Sequence, residues 1–419
     1  MRPISSPNPS LIPMDRHLQA DWDAVVIGGG LVGLSTAYAL RLLNPAARIV
    51  VIEKENGVAL HQSGRNSGVV HSGLIYPEDS LKARLCLQGK KKLINFCQNQ
   101  GIQTRQFGKV FVAVTRQEIQ QLRILEARAK KHQIYSKWLT GRGLRDVEPH
   151  VSGMAGLHIP SVCAVDFVQV AKRIFERLIA NHVHLYLGES VVSLRHDGGM
   201  AVVKTNKRSF TANRVINCAG VFADNIAKKS GLKMQGQIVP FRGAYYYLKK
   251  EKRHMINGLI YPTPNPKLPF LGIHLTRTVD DEVHCGPNAA LAFGKTAYRR
   301  GEVIIEDVAR MAFFPGLYRM ISQHKKMVQK ELKRARSKKA FLHAVQNLVP
   351  EITPSDVVPG VTGIRAQAMR PDGTLVDDFW FEENGPYLHV LNAPSPAATA
   401  CFAIGEVIAK KVGKLLEPT

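Results

Sequence analysis

Asp23-Ala-Val-Val-Ile-Gly-Gly-Gly-Leu-Val-Gly-Leu34 is the stretch that decides the fold. Residues 23–27 form a short apolar run ending in glycines, the pattern of a parallel strand buried on both faces. Residues 31–43 read as a helix that closes before Pro45, and 48–53 as a second buried strand, which together make one β-α-β unit. Gly28, Gly30 and Gly33 fit G-x-G-x-x-G at the turn between strand and helix. Gly28 permits the tight turn, Gly30 lets a pyrophosphate approach the backbone, and Gly33 lets helix and strand pack closely. The helix N-terminus offers unpaired N–H groups and a positive dipole end to an anion. Glu53 lies twenty residues past Gly33, at the end of the second strand, where a carboxylate binds ribose hydroxyls. A glycine-rich turn without a ligand would leave Glu53 unexplained, so the unit reads as a dinucleotide site.

The 419 residues suffice for two packed lobes. Charged residues make up 21% and no low-complexity tract interrupts the chain, which argues against disorder. Residues 1–19 carry four prolines and no apolar core, and read as a flexible extension rather than a secretory signal. The apolar run 24–40 is slightly short for a membrane span, and its glycines break it. The six cysteines form no C-x-x-C pair, so no metal site is expected, and scattered thiols fit a cytoplasmic, reducing compartment. Further helices are expected at 81–100 and 117–132. Strands are expected at 110–115, 182–187, 200–205, 214–217, 237–248 and 270–274. Residues 297–346 read as mainly helical, and the tail from Gly363 as β-turn-helix.

The fingerprint alone does not separate FAD from NAD. The loop His61-Gln-Ser-Gly-Arg-Asn-Ser-Gly-Val-Val-His-Ser-Gly-Leu74 favours FAD, because small residues and backbone donors suit a flat ring and its phosphates. An NAD enzyme would continue into another strand-helix unit here. Val215-Ile-Asn-Cys-Ala-Gly220 ends a later strand in a small-residue turn. This pattern resembles the glycine-oxidase/D-amino-acid-oxidase superfamily of flavoproteins. Four segments also resemble the L-2-hydroxyglutarate oxidase/dehydrogenase family within it: 261–277, Cys285-Gly-Pro-Asn-Ala289, Gly363-Ile-Arg-Ala-Gln-Ala368 and Asn392-Ala-Pro-Ser-Pro-Ala-Ala-Thr399.

The resemblance implies an α/β protein: a Rossmann-type FAD-binding domain with an inserted α+β substrate domain built on a mixed β-sheet. Residues 20–100, 150–235 and 345–415 are grouped as the discontinuous FAD domain, and 101–149 with 236–344 as the substrate domain. Gly28, Gly30, Gly33 and Glu53 would hold the adenosine half of FAD. Ser67, Gly68 and His71 would approach the flavin, and Ala219 and Gly220 the pyrophosphate. Gly363, Pro394, Ser395 and Ala398 would close over the ring, with a last helix starting at Ser395. Two positions depart from the family pattern: Ala244 stands where an acid is expected, and Lys295-Thr-Ala-Tyr298 replaces Arg-Glu-Gly-Tyr.

The implied reaction is oxidation of L-2-hydroxyglutarate to 2-oxoglutarate, with electrons passed to quinone or oxygen. Such a reaction needs a base for the hydroxyl proton and cations for the carboxylates. His71 and His274 are the candidate bases, and Arg242, Arg277 and Arg365 the candidate carboxylate ligands. Tyr261 is a candidate hydrogen-bond donor. Strand alternation sets His274 and Arg277 on opposite faces, which counts against both reaching the substrate. The alternatives are an amine or amino-acid oxidase of the same superfamily, a basic nucleic-acid-binding protein, and an NAD dehydrogenase.

The formal net charge is +24. Between Arg319 and Lys339 nine basic residues face a single acid, Glu331, just after the apolar Met311-Ala-Phe-Phe-Pro-Gly-Leu-Tyr318. This combination suits peripheral docking on an anionic inner-membrane surface, set against a solvated helix face. No nucleic-acid partner is expected, since no recognition motif accompanies the charge.

Overall fold

The computed structural model describes residues 20–266 and 271–413. The expected extension at 1–19 and the start of the strand expected from Phe270 lie outside the described residues. Two large sheets form two lobes. The first has eight strands around a parallel core, in the order Tyr387–Asn392, Ser209–Asn217, Trp22–Ile27, Ile49–Glu53, His184–Leu187. Alternation along these strands fills two separate cores. Ala24, Val26, Ile49 and Val51 face the helices Leu31–Leu43, Leu81–Asn99, Phe167–Ala180 and Ala397–Gly413. Val25, Ile27, Val50 and Ile52 face the antiparallel strands Val191–Asp197 and Met200–Thr205. Burial on both sides is why these strands read as unbroken apolar runs.

The second sheet has nine strands. Its middle runs Gln237–Leu248, Val283–Gly286, His274–Arg277, Leu259–Pro262, Lys109–Ala113, Ala155–Ile159, Lys137–Thr140. The long strand Val357–Met369 pairs antiparallel with Gln237–Leu248 along almost its whole length, Phe241 facing Arg365 and Gly243 facing Gly363. A small sheet of Val69–Val70, Cys163–Val165 and Thr104–Gln106 lies at the junction.

Two strands depart from the sequence-based grouping. Ala155–Ile159 and Val357–Met369 belong to the second sheet, whereas the sequence groups 150–235 and 345–415 with the dinucleotide domain. A buried apolar run shows that a strand exists; its partner is fixed by contacts distant in sequence. The basic region resolves into Ile305–Ala312, Pro315–Gln323, Lys325–Arg336 and Lys338–Gln346. The last helix begins at Ala397, not Ser395, just after Pro396.

Candidate active site

The glycine turn and Glu53 are locked together. Gly28 has φ 118°, and a Cβ there would sit 2.4 Å from the Cys218 carbonyl oxygen. At Gly33 a Cβ would fall 2.0 Å from the Gly28 oxygen, so the helix can approach the turn only without a side chain. The Leu31 N–H donates to Ser63 Oγ at 2.9 Å, and Gly30, the N-cap residue, makes no side-chain cap hydrogen bond. Gly29 N–H donates to Glu53 Oε2 at 2.6 Å, and Glu55 N–H to Oε1 at 2.9 Å. The carboxylate is therefore fixed in direction and keeps lone pairs for two hydroxyls. Across the turn, Asn217 Oδ1 accepts from Ala219 N–H at 3.2 Å and its amide donates to the Ala223 carbonyl at 2.8 Å, shaping the Ala219–Gly220 corner.

These elements open on a cleft of about 1480 Å³. That exceeds an ordinary small-molecule pocket, of about 300–1,000 Å³, and suits an extended dinucleotide plus a small acid. Gly28, Gly30, Glu53, Ala219 and Gly220 line one end. Ser67, Gly363, Pro394, Ser395 and Ala398 line the cleft as well, and so do His71, Tyr261, His274 and Arg365.

His274 opens its strand in the second sheet. Its Nδ1 lies 2.9 Å from the Gly272 carbonyl oxygen, which can only accept. Nδ1 therefore carries the proton and Nε2 holds a lone pair in the neutral ring. Burial pushes its pKa down to about 3; the Gly272 carbonyl opposes this, and the charges of Lys109 and Arg365 add to it. The ring stacks on Tyr261, with centroids 3.9 Å apart and planes at 21°. Burial also pushes the Tyr245 and Tyr261 phenols up, while the neighbouring Ser67 hydroxyl pulls the other way. His71 is held differently. Its N–H donates to Thr399 Oγ1 at 3.0 Å, and Nε2 meets Ser395 Oγ at 3.3 Å. Tyr76 lies 3.4 Å further along from that hydroxyl. Burial holds His71 well below the usual histidine range, helped by the nearby Lys109 ammonium.

The model of the FAD-dependent oxidoreductase family named DAO matches residues 23–411, nearly the whole chain. The chain belongs to this family. An L-2-hydroxyglutarate dehydrogenase of Indibacter alkaliphilus is 39% identical over 390 residues, covering 93% of this chain and 98% of that one. The enzyme of the same name from Escherichia coli K12 is 38% identical, covering 94% of each chain. The human mitochondrial enzyme of that name is 37% identical over 95% of this chain and 90% of its own. In fold, the chain is similar to an L-α-glycerophosphate oxidase of Mycoplasma pneumoniae solved with FAD bound, with TM-score 0.75, 22% identity and 95% of each chain covered. A glycine oxidase of Geobacillus kaustophilus aligns with TM-score 0.72 and 16% identity, over 94% and 95% of the two chains.

As a member of the DAO family the protein uses FAD, and its residues fit that cofactor. The backbone cradle that a Cβ would fill at Gly28 and Gly33, with Glu53 fixed against it, leaves room for the dinucleotide and a carboxylate for its ribose.

Four candidates fall outside the cleft lining. Gly33 acts by packing against the turn. Gly68, at φ 69°, lets the loop pass 2.8 Å from the Val165 carbonyl oxygen, measured from where a Cβ would stand. Arg277 turns away, as alternation requires: Nε pairs with Asp281 at 3.0 Å, and the guanidinium caps the carbonyls of Ile256 and Arg253 at 2.6 and 3.2 Å. Arg242 pairs through its backbone with Ile364 and Ala290; of the three candidate arginines, at least two of which a dicarboxylate would call for, Arg365 lines the cleft. Sequence reasoning missed Tyr245, which lines the cleft, and Lys109, which is buried behind Tyr261. A lysine opening an apolar strand was the available signal for Lys109. The departures from the family pattern also have places. Lys295 Nζ pairs with Asp224 at 2.5 Å and reaches Asn225 at 3.0 Å, while Ala244 N–H donates to Asn288 at 2.8 Å.

Proposed function

We propose that the protein oxidises L-2-hydroxyglutarate to 2-oxoglutarate and passes the electrons to quinone or oxygen. The observation that carries this reading is the neutral His274, with its Nε2 lone pair, beside Arg365 and Tyr261 in the FAD cleft. When bound, FAD supplies the acceptor for the two electrons and hydrogen leaving C2. His274 Nε2 takes the hydroxyl proton as the carbonyl forms. Arg365 meets a carboxylate with two parallel hydrogen bonds, and Tyr261 donates another. The protonated His274 would be costly beside Arg365 alone; a doubly anionic substrate offsets that charge and raises the basicity of Nε2. The relatives named as L-2-hydroxyglutarate dehydrogenases support this substrate over an amine.

Anaerobic addition of L-2-hydroxyglutarate is expected to bleach the yellow holoenzyme, while the D form, glycine and sarcosine leave its absorbance unchanged. Bleaching by the amines but not by the hydroxy acid would replace this reading with an amine oxidase.

The basic helices support the finer reading that the protein works at an anionic membrane surface. Ile305 is 83% and Phe313 88% exposed, and the helix Lys325–Arg336, which follows after Pro315–Gln323, has no buried residue. Bare apolar tips insert into such a surface and a polybasic helix is attracted to it. No helix among the described residues is long and apolar enough to cross a membrane. The protein is expected to sediment with phosphatidylglycerol vesicles at low salt. Phe313→Ser is expected to weaken this about tenfold, for loss of one buried aromatic side chain. Equal sedimentation of both proteins, or none, would refute surface docking.

A further inference from the structure

Three lysines are buried among the described residues: Lys82, Lys109 and Lys295. Lys82 has Asp377 at 2.8 Å and Lys295 has Asp224 at 2.5 Å. No carboxylate among the described residues stands at ion-pair distance from Lys109. Its Nζ lies instead over two rings, 4.0 Å from the centroid of Tyr261 and 5.5 Å from that of Phe111. An ammonium buried without a counter-charge is costly, and burial accordingly lowers its pKa to about 7. A ring face offsets only part of that cost.

Strand register explains how the lysine reaches its place. The strand Leu259–Pro262 lies between Lys109–Ala113 and His274–Arg277. Leu259 pairs with Lys109 on one side and Thr276 on the other. Tyr261, two residues on, pairs with Phe111 on the first side and has the His274 ring stacked against it; Lys109 shares the face of Phe111 two residues back and reaches the Tyr261 ring diagonally. The stacked His274 ring occupies one face of the phenol, which leaves the opposite face to Nζ. Tyr261 and His274 line the cleft, while Lys109 stands behind them.

We infer that Lys109 is a positioning residue: its ammonium, on the side of the Tyr261 ring away from His274, supplies the countercharge for an anionic substrate and acts on it through the Tyr261 phenol. A cation on the ring face draws electron density from the oxygen and makes the O–H a stronger donor to a carboxylate. The incoming anion in turn supplies the opposite charge that the fold withholds from this lysine. The inference rests on the proposed reading of the cleft as a dicarboxylate site.

The test is titration of the FAD-loaded protein with 2-oxoglutarate, followed by flavin absorbance, together with anaerobic bleaching by L-2-hydroxyglutarate. Lys109→Met is expected to weaken 2-oxoglutarate binding and raise the half-saturating substrate concentration by about tenfold or more, as one nearby charge in a partly shielded site implies. Its limiting bleaching rate should stay within about threefold of wild type. Lys109→Arg, which keeps the charge, should recover most of the affinity. A purely structural lysine would lower the melting temperature and leave this split between affinity and rate unmoved. Wild-type affinity in Lys109→Met overturns the inference. If Lys109→Met fails to fold, Lys109→Arg decides: full loss of affinity in a folded Arg variant is equally fatal. Failure of the wild type to bleach would instead sink the substrate reading.

Discussion

His274→Ala is expected to stay yellow and to be reduced by L-2-hydroxyglutarate at least about a hundredfold more slowly than wild type, the usual contribution of a positioned general base. The two candidate histidines differ in how they are bonded. His274 spends its proton on Gly272 and keeps Nε2 open, whereas His71 meets Ser395 with Nε2 and is anchored through its backbone to Thr399. His71→Ala should therefore cost less than about tenfold in rate. Because the free imidazole of His274 stays neutral down to about pH 3, kcat/KM should show no histidine inflection near the ordinary value of 6.5. Stopped-flow reduction of both variants across pH checks this. Normal reduction of His274→Ala would move the base elsewhere, and a rise in kcat/KM with pH through about 6.5 would argue for a less buried base, whereas loss of the Lys109 charge, lowered to about 7, gives a fall instead.

Gly33→Ala is expected to purify without flavin. The added methyl would fall 2.0 Å from the Gly28 oxygen, inside any van der Waals contact, so helix and turn must part where the pyrophosphate binds. Gly28→Ala meets a similar obstacle at Cys218, with an unfavourable φ in addition. Gly57→Ala is the control, since its methyl would make only ordinary contact with Leu60 at 3.7 Å. The ratio of flavin to protein absorbance, with circular dichroism to confirm folding, reads the result. A folded, fully yellow Gly33→Ala would contradict the account of the cradle.

The dinucleotide unit was legible because its logic is local. Strand, turn, helix and acid lie within thirty-one consecutive residues, from Asp23 to Glu53, and each glycine answers a contact that the motif itself creates. The substrate end was legible only in part. Alternation correctly set Arg277 against His274, and the structure gives Arg277 to Asp281 and two carbonyls. Nothing local showed that Arg242 would miss the cleft while Arg365, its near neighbour across the sheet, would line it. Lys109 stayed hidden because its meaning depends on Tyr261, some 150 residues later. The sheet membership of Ala155–Ile159 and Val357–Met369 differs from the sequence-based grouping for the same reason: pairing between separate segments leaves no periodic trace in either partner.

The chain passes back and forth between its two sheets. It enters the second by Lys109, has returned to the first by His184, departs again at Gln237 and comes home after Met369. Neither half is a continuous piece of polypeptide, so neither can be cut out, exchanged or melted by itself. A ligand gripped at the glycine turn therefore steadies the strand bearing Arg365 as well, and the molecule should come apart as one cooperative body rather than as two.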